Sequence, residues 1–285
     1  MQETMLAIAG SPGSGKTTLG TKLAMEIARS KKNVLLIFCD PFTPPIPFLL
    51  PAETSHKISL GSLLTAPAMS QQLILDACVT VKQSKHVSFL GYRLGENLLS
   101  FPQITKDKAV DLLVCARHLA DYVIVDCAGC FEADMFSMAS LDMADHILWL
   151  ETADLKGISF YHSHKNLIQQ AEIRNKGLWA IGNCRPGQEC EAVGQQYGGI
   201  SYTFEYVSEI LWQSDEVSLL ERLHTKEALP YQWEMQKLIR QIFGLGITEE
   251  RSMEKTEEIK RKAPIEKERK KAGFRFPSFQ HKGEF

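Results

Sequence analysis

Residues 10–18 constrain this chain more than any other stretch. They read Gly-Ser-Pro-Gly-Ser-Gly-Lys-Thr-Thr and fit the pattern G-x-x-x-x-G-K-[ST]. An apolar run at residues 5–9 precedes them, and a stretch with helical character at residues 18–30 follows. The pattern requires a strand, a phosphate-binding loop and a helix in this order. The sequence therefore predicts a nucleotide site at the start of an α/β fold.

The residue types of this loop match the chemistry of a phosphate chain. Glycines let the backbone adopt conformations closed to other residues, so that successive N–H groups converge on phosphate oxygens at a helix N-terminus. Lys16 is placed to neutralise the β- and γ-phosphates in catalysis, and the hydroxyl of Thr17 to bind Mg²⁺. The predicted nucleotide-binding residues of the loop are Gly10, Ser11, Pro12, Gly13, Ser14, Gly15, Lys16, Thr17 and Thr18.

Composition narrows the class of protein. A chain of 285 residues with 44% hydrophobic content can bury a full core. The net charge of −2 hides an asymmetry, because residues 251–285 hold 11 basic and 6 acidic residues, a net charge of +5, and the preceding chain is acidic. An acidic body argues against sequence-independent DNA binding, which needs a Lys/Arg surface.

The sequence lacks the patterns that are typical of membrane and secreted proteins. No apolar run approaches the ~18–20 residues of a membrane span, and the N-terminus has no signal-peptide pattern. Seven irregularly spaced cysteines fit reduced thiols better than a disulfide framework. We expect a cytoplasmic protein.

Strand and helix patterns alternate along the chain. Strands are predicted at residues 33–39, 86–91, 121–126, 146–150, 177–181 and 201–204, and helices at 71–81, 106–119, 154–171 and 230–243. The Pro-rich residues 42–47 are predicted to be irregular. This alternation predicts a doubly wound, mostly parallel sheet with helices on both faces and a ligand site at the carboxyl ends of the strands.

The composition changes after residue 247. We predict a P-loop ATPase domain at residues 1–247 and a charged, disordered tail at 248–285. Within the tail, residues 267–279 mix cations with three phenylalanines. A solvated tail, a docking peptide for a partner protein and a contact with anionic lipid at the membrane periphery all stay open.

Four further candidates follow predicted strands. Asp126 would reach Mg²⁺ through a water, and Gly129 would let the next loop approach the γ-phosphate. Asp40 would orient the attacking water or bind the metal indirectly, acting by position and charge. Asn183 offers an amide donor and acceptor to a purine edge. Asp126, Asp40 and Asn183 each have a structural alternative, as a capping Asp or a loop Asn.

Four segments resemble, in order and spacing, the MinD/ParA group of P-loop ATPases: residues 10–18, 34–41, 123–126 and 181–183. The resemblance covers roughly residues 4–245 and implies a seven- or eight-stranded mostly parallel sheet, Mg-ATP, and a homodimer formed face to face on ATP. It implies switch roles for Asp40 and residues 126–129, and adenine contact by Asn183. The length and apparent lack of DNA-binding character look most like the TadZ/CpaE branch, which localises pilus or secretion machinery.

Two departures from that group concern turnover. The group carries a signature lysine five residues before Lys16, where this chain has Ser11, and commonly an acidic residue two before the switch I Asp, where it has Phe38. Vigorous hydrolysis activated by dimerisation is therefore in question. The leading interpretation is an ATP-hydrolysing switch that positions a partner assembly. The alternatives are a nucleotide-dependent scaffold with little hydrolysis and a small-molecule kinase, although the chain has no Arg cluster between Asp40 and Asp126.

The pair Cys127-x-x-Cys130 has two interpretations. Some relatives of the MinD/ParA group hold an iron–sulfur cluster between subunits, and one such pair per chain would supply four thiolates across a dimer. Cysteine is also a common small core residue, and Cys127 directly follows a buried strand.

Overall fold

The computed structural model describes residues 4–50 and 58–246. The predicted tail at 248–285 lies outside the described residues, so the division into a domain and a tail stays a prediction. None of the helices described is long and apolar enough to cross a membrane.

An eight-stranded sheet forms the centre of the described chain, in the order β3-β4-β2-β5-β1-β6-β7-β8. Its strands are β1 Thr4–Ala9, β2 Val34–Phe38, β3 Val79–Thr80, β4 Val87–Leu90, β5 Tyr122–Asp126, β6 His146–Thr152, β7 Gly177–Cys184 and β8 Tyr202–Glu205. All neighbours are parallel except β3 and β4. The predicted mostly parallel sheet is confirmed.

Helices cover both faces of the sheet. They are α1 Lys16–Ala28, α2 Ile46–Leu49, α3 Leu60–Leu64, α4 Gln71–Ala77, α5 Lys106–Arg117, α6 Met135–Met143, α7 Leu155–Ile168, α8 Ala171–Arg174, α9 Cys190–Gly194, α10 Ser208–Asp215 and α11 Leu229–Phe243. Alternate strand residues on one face share a core with α3 to α6: Met5, Ala7, Ala9, Leu35, Ile37, Val123 and Val125. On the other face Gly20 of α1 lies over Ile8, Leu36 and Ile124. This alternation is the doubly wound pattern.

Several element boundaries differ from the sequence predictions. The helix predicted at 71–81 ends at Ala77, because Val79 and Thr80 turn away to pair antiparallel with β4. Residues 42–47, predicted to be irregular, run into one helical turn, α2. Pro47 lies at the start of this turn, where a backbone N–H would have no helical partner, so the missing N–H has no cost. The helix predicted at 154–171 is two helices, α7 and α8. Helix α6 was not predicted, although Asp134 caps it by accepting from the Ser137 N–H at 2.8 Å.

The expectation of reduced thiols is wrong for one pair. Cys184 at the end of β7 and Cys190 at the start of α9 form a disulfide, with their Cα atoms 6.3 Å apart. The turn between them folds back tightly enough to bring the two Cα atoms within disulfide range. The other five cysteines are free thiols: Cys39, Cys78, Cys115, Cys127 and Cys130.

Two glycines let the phosphate-binding loop lie directly on the central strands. A Cβ on Gly10 would be 2.0 Å from the Leu150 carbonyl oxygen, and one on Gly182 would be 2.1 Å from the Ser14 carbonyl oxygen. Both obstacles are backbone atoms, which cannot rotate away. The loop is therefore held against β6 and β7 at a spacing that only glycine permits.

We predict opposite outcomes for one substitution at two buried glycines. Gly182→Ala should lower the free energy of unfolding by about 1–3 kcal/mol, because its methyl group overlaps the loop backbone. Gly20→Ala should raise it by about 0.5–1 kcal/mol, because its methyl group finds ordinary contact at 3.5 Å within a helix. Urea unfolding of both variants measures this. An unchanged stability of Gly182→Ala would contradict the close packing of loop and sheet.

Candidate nucleotide-binding site

The predicted phosphate-binding loop connects β1 to α1 as the motif requires. Gly10, Gly13 and Gly15 have φ angles of 136°, 79° and 95°, conformations that side chains disfavour. Gly15 directly precedes α1, whose first residue is Lys16. The loop thus presents the N-terminus of a 13-residue helix, where free N–H groups and the helix dipole favour an anion.

Lys16 is folded back onto its own loop. Its Nζ donates to the Gly10 and Ser11 carbonyl oxygens, each at 3.0 Å, and the residue is buried. Burial lowers the pKa of Lys16, which the negative charges of Asp126, Glu151 and Asp40 partly oppose. Within residues 4–50 and 58–246, its ammonium has two hydrogen-bond acceptors, both of them neutral. Phosphate oxygens would be stronger acceptors for it.

Thr17 and Asp126 meet beside the loop, at the carboxyl end of β5. The Thr17 hydroxyl donates to Asp126 Oδ2 at 2.6 Å, while Asp126 Oδ1 is buried without a hydrogen-bond partner among the described residues. Burial raises the pKa of Asp126 to about 6, although the Thr17 hydrogen bond and the Lys16 charge oppose this. A hydroxyl and an orphaned carboxylate oxygen are suitable ligands for Mg²⁺ or for its bound water. The residues present therefore fit the predicted magnesium ion.

Asp40 lies close enough to Lys16 and Asp126 to affect both pKa values by its charge. Both of its carboxylate oxygens are engaged within its own loop. Oδ1 accepts from the Phe42 and Thr43 N–H groups at 2.8 and 3.1 Å, and Oδ2 accepts from the Thr43 hydroxyl at 2.9 Å. In this conformation Asp40 orders the turn after β2, and Oδ2, which accepts one hydrogen bond there, keeps an acceptor position for a water.

Asn183 lies on the other side of the loop. It has a left-handed φ of 57° and borders an open cavity of about 150 Å³ together with Ser14, Gly15 and Thr18 of the loop and α1. The remaining lining is mostly apolar and comes from α1, β6, β7, β8, α10 and α11 and the segment between β8 and α10: Leu19, Leu150, Gly182, Phe204, Glu205, Tyr206, Val207, Ile210, Leu211, Ser214 and Tyr231. A cavity with apolar walls and one amide suits the flat, hydrogen-bonding edge of a purine.

Helix α10 is tied to α1, the helix that follows the phosphate-binding loop. Lys22 of α1 is buried and donates to the Gln213 side chain and to the Glu221 carbonyl oxygen at 2.7 Å. The wall of the cavity is thereby fixed relative to α1.

The turn after β5 touches the loop, and its two cysteines differ. Gly129 faces Pro12, because a Cβ on the glycine would be 3.6 Å from Pro12 Cγ. Cys127 is buried, and burial raises the pKa of its thiol, whereas Cys130 is exposed. A raised thiol pKa opposes the thiolate that a cluster or zinc needs. The described residues contain no group of three or more metal-binding side chains.

The two positions that depart from the MinD/ParA pattern face inward. Ser11 is 1% exposed, its N–H donates to Glu151 Oε2 at 3.2 Å, and its hydroxyl accepts from the Thr152 N–H at 3.1 Å. Phe38 is fully buried, with its ring edge-on to Phe89 at 5.2 Å. Neither position presents a polar group to solvent.

Glu151 was missed by the sequence analysis. The predicted strand ends at residue 150, whereas β6 continues to Thr152 and includes Glu151. The available signal was the Thr152 that follows, since β-branched residues favour continuation of a strand.

The sheet order, the loop between β1 and α1, and the acid at the end of β5 together define a P-loop NTPase fold. Solved structures refine this to the MinD/ParA ATPase fold. A ParA family ATPase from Chlorobium tepidum superposes with a TM-score of 0.68 at 14% identity, covering 82% of this chain and 99% of its own. The MinD from Pyrococcus horikoshii, solved with Mg-ADP, has a TM-score of 0.64 at 16% identity, covering 82% and 95%.

A third solved structure, from Borrelia burgdorferi, is a putative plasmid partition protein bound to AMPPNP. It has a TM-score of 0.67 at 15% identity and covers 85% of this chain and 100% of its own. No protein-family model and no curated sequence matches the chain. The resemblance inferred from four short segments is thus confirmed at the level of the fold.

We predict that Asp126→Asn stabilises the nucleotide-free protein and removes its response to Mg²⁺. At pH 7.5 the free energy of unfolding should rise by about 1–3 kcal/mol, because an ionised buried carboxylate becomes neutral. The wild type should recover part of that difference as the pH falls from 7 to 4, since its carboxyl takes up a proton near pH 6 when folded and near 3.8 when unfolded. Thermal unfolding with ATP, with and without Mg²⁺, completes the measurement. Equal Mg²⁺-dependent stabilisation of both proteins would contradict the metal site.

Proposed function

We propose that this chain is an ATP-binding switch of the MinD/ParA type that hydrolyses ATP slowly and positions or regulates a partner assembly. The observation that carries the proposal is the group formed by Lys16, Thr17 and Asp126. This group surrounds the helix N-terminus that follows the glycine-rich loop. This group combines a displaceable cation, a hydroxyl and an unsatisfied carboxylate oxygen. Such a set is suited to the phosphates of Mg-ATP.

Binding begins with a change of partner for Lys16. Its ammonium leaves the two loop carbonyls for the β- and γ-phosphates, and the loop N–H groups bind the remaining phosphate oxygens. Mg²⁺, held by Thr17 and through water by Asp126, would neutralise further charge on the phosphates. The purine would occupy the cavity next to Asn183, whose amide supplies both a donor and an acceptor.

Hydrolysis would depend on the turn at Asp40. Its carboxylate accepts three hydrogen bonds within the turn, which leaves an acceptor position on Oδ2 that would orient a water near the γ-phosphate. A γ-phosphate that contacts this turn and the turn at Gly129 would stabilise one conformation of each. A nucleotide without a γ-phosphate would not make these contacts, and a nucleotide switch requires such a difference.

Dimerisation on ATP is proposed because large apolar side chains are exposed at the carboxyl ends of the strands, where the phosphate-binding loop lies. Phe42 is 65% exposed in the turn after β2, and Leu94 and Leu99 are 74% and 94% exposed after β4. Large exposed apolar side chains near a ligand edge indicate a protein contact. A second copy that binds across this edge would cover them.

A scaffold that binds ATP and barely hydrolyses it is the second candidate. It is favoured by the inward position of Ser11, whose hydroxyl is satisfied by Thr152, and by the buried Phe38. The cytoplasmic location, a pilus or secretion partner, and a membrane contact through residues 248–285 belong to the same proposal. They rest on the sequence alone.

We predict that Lys16→Ala abolishes binding of Mg-ATP and with it any change of oligomer mass. Fluorescent-nucleotide titration measures binding, and light scattering at increasing Mg-ATP measures mass. The control is Lys165→Ala, which removes an exposed lysine in the last turn of α7, outside the loop and the cavity. Retained nucleotide affinity in Lys16→Ala would contradict the site, and a monomeric wild type at saturating Mg-ATP would contradict the dimer.

We predict that Asp40→Ala and Asp40→Asn bind Mg-ATP within threefold of the wild type but release phosphate at least tenfold more slowly. Asn keeps an acceptor for the Phe42 and Thr43 N–H groups, so it separates loss of charge from loss of the turn. Single-turnover phosphate release without a phosphoryl acceptor provides the measurement and tests the kinase alternative. Normal turnover in Asp40→Asn would show that the charge is not needed.

A further inference from the structure

The described residues contain three buried acids, and two of them have a clear role. Asp126 lies at the metal position, and Asp134 caps α6. Glu151 is 0% exposed, is one of the last two residues of β6, and has no role in phosphate or metal binding as described above. A buried carboxyl is costly, so its presence beneath the loop needs an explanation.

The carboxyl of Glu151 is connected to Lys16 through one loop residue. Glu151 Oε2 accepts from the Ser11 N–H at 3.2 Å, and the Ser11 carbonyl oxygen accepts from Lys16 Nζ at 3.0 Å. The other oxygen, Oε1, is buried with no partner in residues 4–50 or 58–246. The carboxyl therefore orients the residue that holds the lysine in its folded-back position.

Few charged groups face Glu151. Lys16 of α1 is the cation that acts on it, and Tyr197, in the turn after α9, is a titratable neighbour whose hydroxyl donates to the Thr152 carbonyl oxygen. Ile181 is the residue opposite Glu151 on β7, and the loop residue Ser11 lies on its other side. Burial raises the pKa of Glu151 to about 7, against hydrogen bonds from Ser11 and the charge of Lys16. Near neutral pH both forms of the carboxyl are populated.

Nucleotide binding would shift Glu151 from the ionised to the protonated form. The phosphates bring negative charge to the loop, and Lys16 turns from the Ser11 carbonyl oxygen toward them. Both changes disfavour the ionised carboxylate of Glu151. The protonated carboxyl keeps an oxygen that can accept from the Ser11 N–H.

We propose that Glu151 is a positioning residue of the phosphate-binding loop and that it takes up a proton when nucleotide phosphates bind. The proposal rests on the proposed function, since it requires phosphates in the loop. Glu151 keeps its hydrogen bond to the Ser11 N–H in both states. A bound polyphosphate favours its protonated form.

The affinity for nucleotide should therefore fall as the pH rises. At pH 6 Glu151 is mostly protonated before binding, so it does not oppose the phosphates. Above pH 7 it is mostly ionised, and binding must include proton uptake, so the affinity falls by up to about tenfold per pH unit. Lys16 also favours binding at low pH, because burial lowers its pKa. Comparison with a Glu151 variant is therefore needed to separate the two groups.

Isothermal titration of the full chain with Mg-ADP tests the proposal, because binding is measured without turnover. Runs at pH 7.5 in two buffers of different ionisation enthalpy give the number of protons taken up. We expect the wild type to take up about half a proton or more beyond Glu151→Gln, since a group of pKa about 7 is mostly ionised at that pH before binding. Glu151→Gln should match the wild type at pH 6 and bind at least fivefold more tightly at pH 8.5.

Two further variants separate charge from hydrogen bonding. Glu151→Met removes the acceptor for the Ser11 N–H and should bind about tenfold more weakly than Glu151→Gln at every pH, without the extra proton uptake. Asp154→Asn removes an exposed carboxylate three residues away, keeps a side chain that can cap α7, and should behave as the wild type.

The role of Glu151 and the proposed function would be overturned by different results. Equal proton uptake by the wild type and Glu151→Gln would overturn the role of Glu151 alone. If Glu151→Gln does not fold, wild-type uptake near zero at pH 7.5 would have the same consequence. A wild type that binds no Mg-ADP would overturn the proposed function, and this proposal with it.

Discussion

The buried ammonium of Lys16 is the interaction on which the rest of the site depends. A cation removed from water needs compensation, and here two loop carbonyl oxygens supply direct hydrogen bonds while three acids act on it by charge. The loop can place the lysine there only because it lies directly on the central strands. That close approach depends on the absence of a side chain at Gly10 and Gly182. The site is thus a consequence of how tightly the loop packs on the sheet.

The sheet order then determines which acids surround the loop. Strand β1 is central, with β5 on one side and β6 on the other, and each neighbour has a buried acid at its carboxyl end. Burial raises the pKa of Asp126 and of Glu151 above the ordinary carboxyl range. Their hydrogen bonds differ, because Asp126 accepts from the Thr17 hydroxyl and Glu151 from the Ser11 main chain. One acid faces the metal position, and the other supports the loop from behind.

The sequence was sufficient for the parts of the site that depend on local geometry. The loop, its strand and helix, and Asp126 are contiguous motifs with restricted conformations, and the alternation of strands and helices predicted the doubly wound sheet. It was insufficient where contacts join distant parts of the chain. Glu151 meets Ser11 across 140 positions, and the wall of the cavity comes from α10. The pairing of Cys184 with Cys190 likewise depends on how β7 meets α9, which spacing alone does not determine.

The serine in place of the signature lysine has a structural explanation. A lysine extending from this position across a dimer would have to leave the space that the Ser11 hydroxyl occupies next to Thr152. A serine can instead turn inward, so that its hydroxyl accepts from the Thr152 N–H. The side chain thereby adds one hydrogen bond between the loop and β6 and places no charged group at this position. A loop held in this way from within its own chain agrees with the slow hydrolysis that we propose.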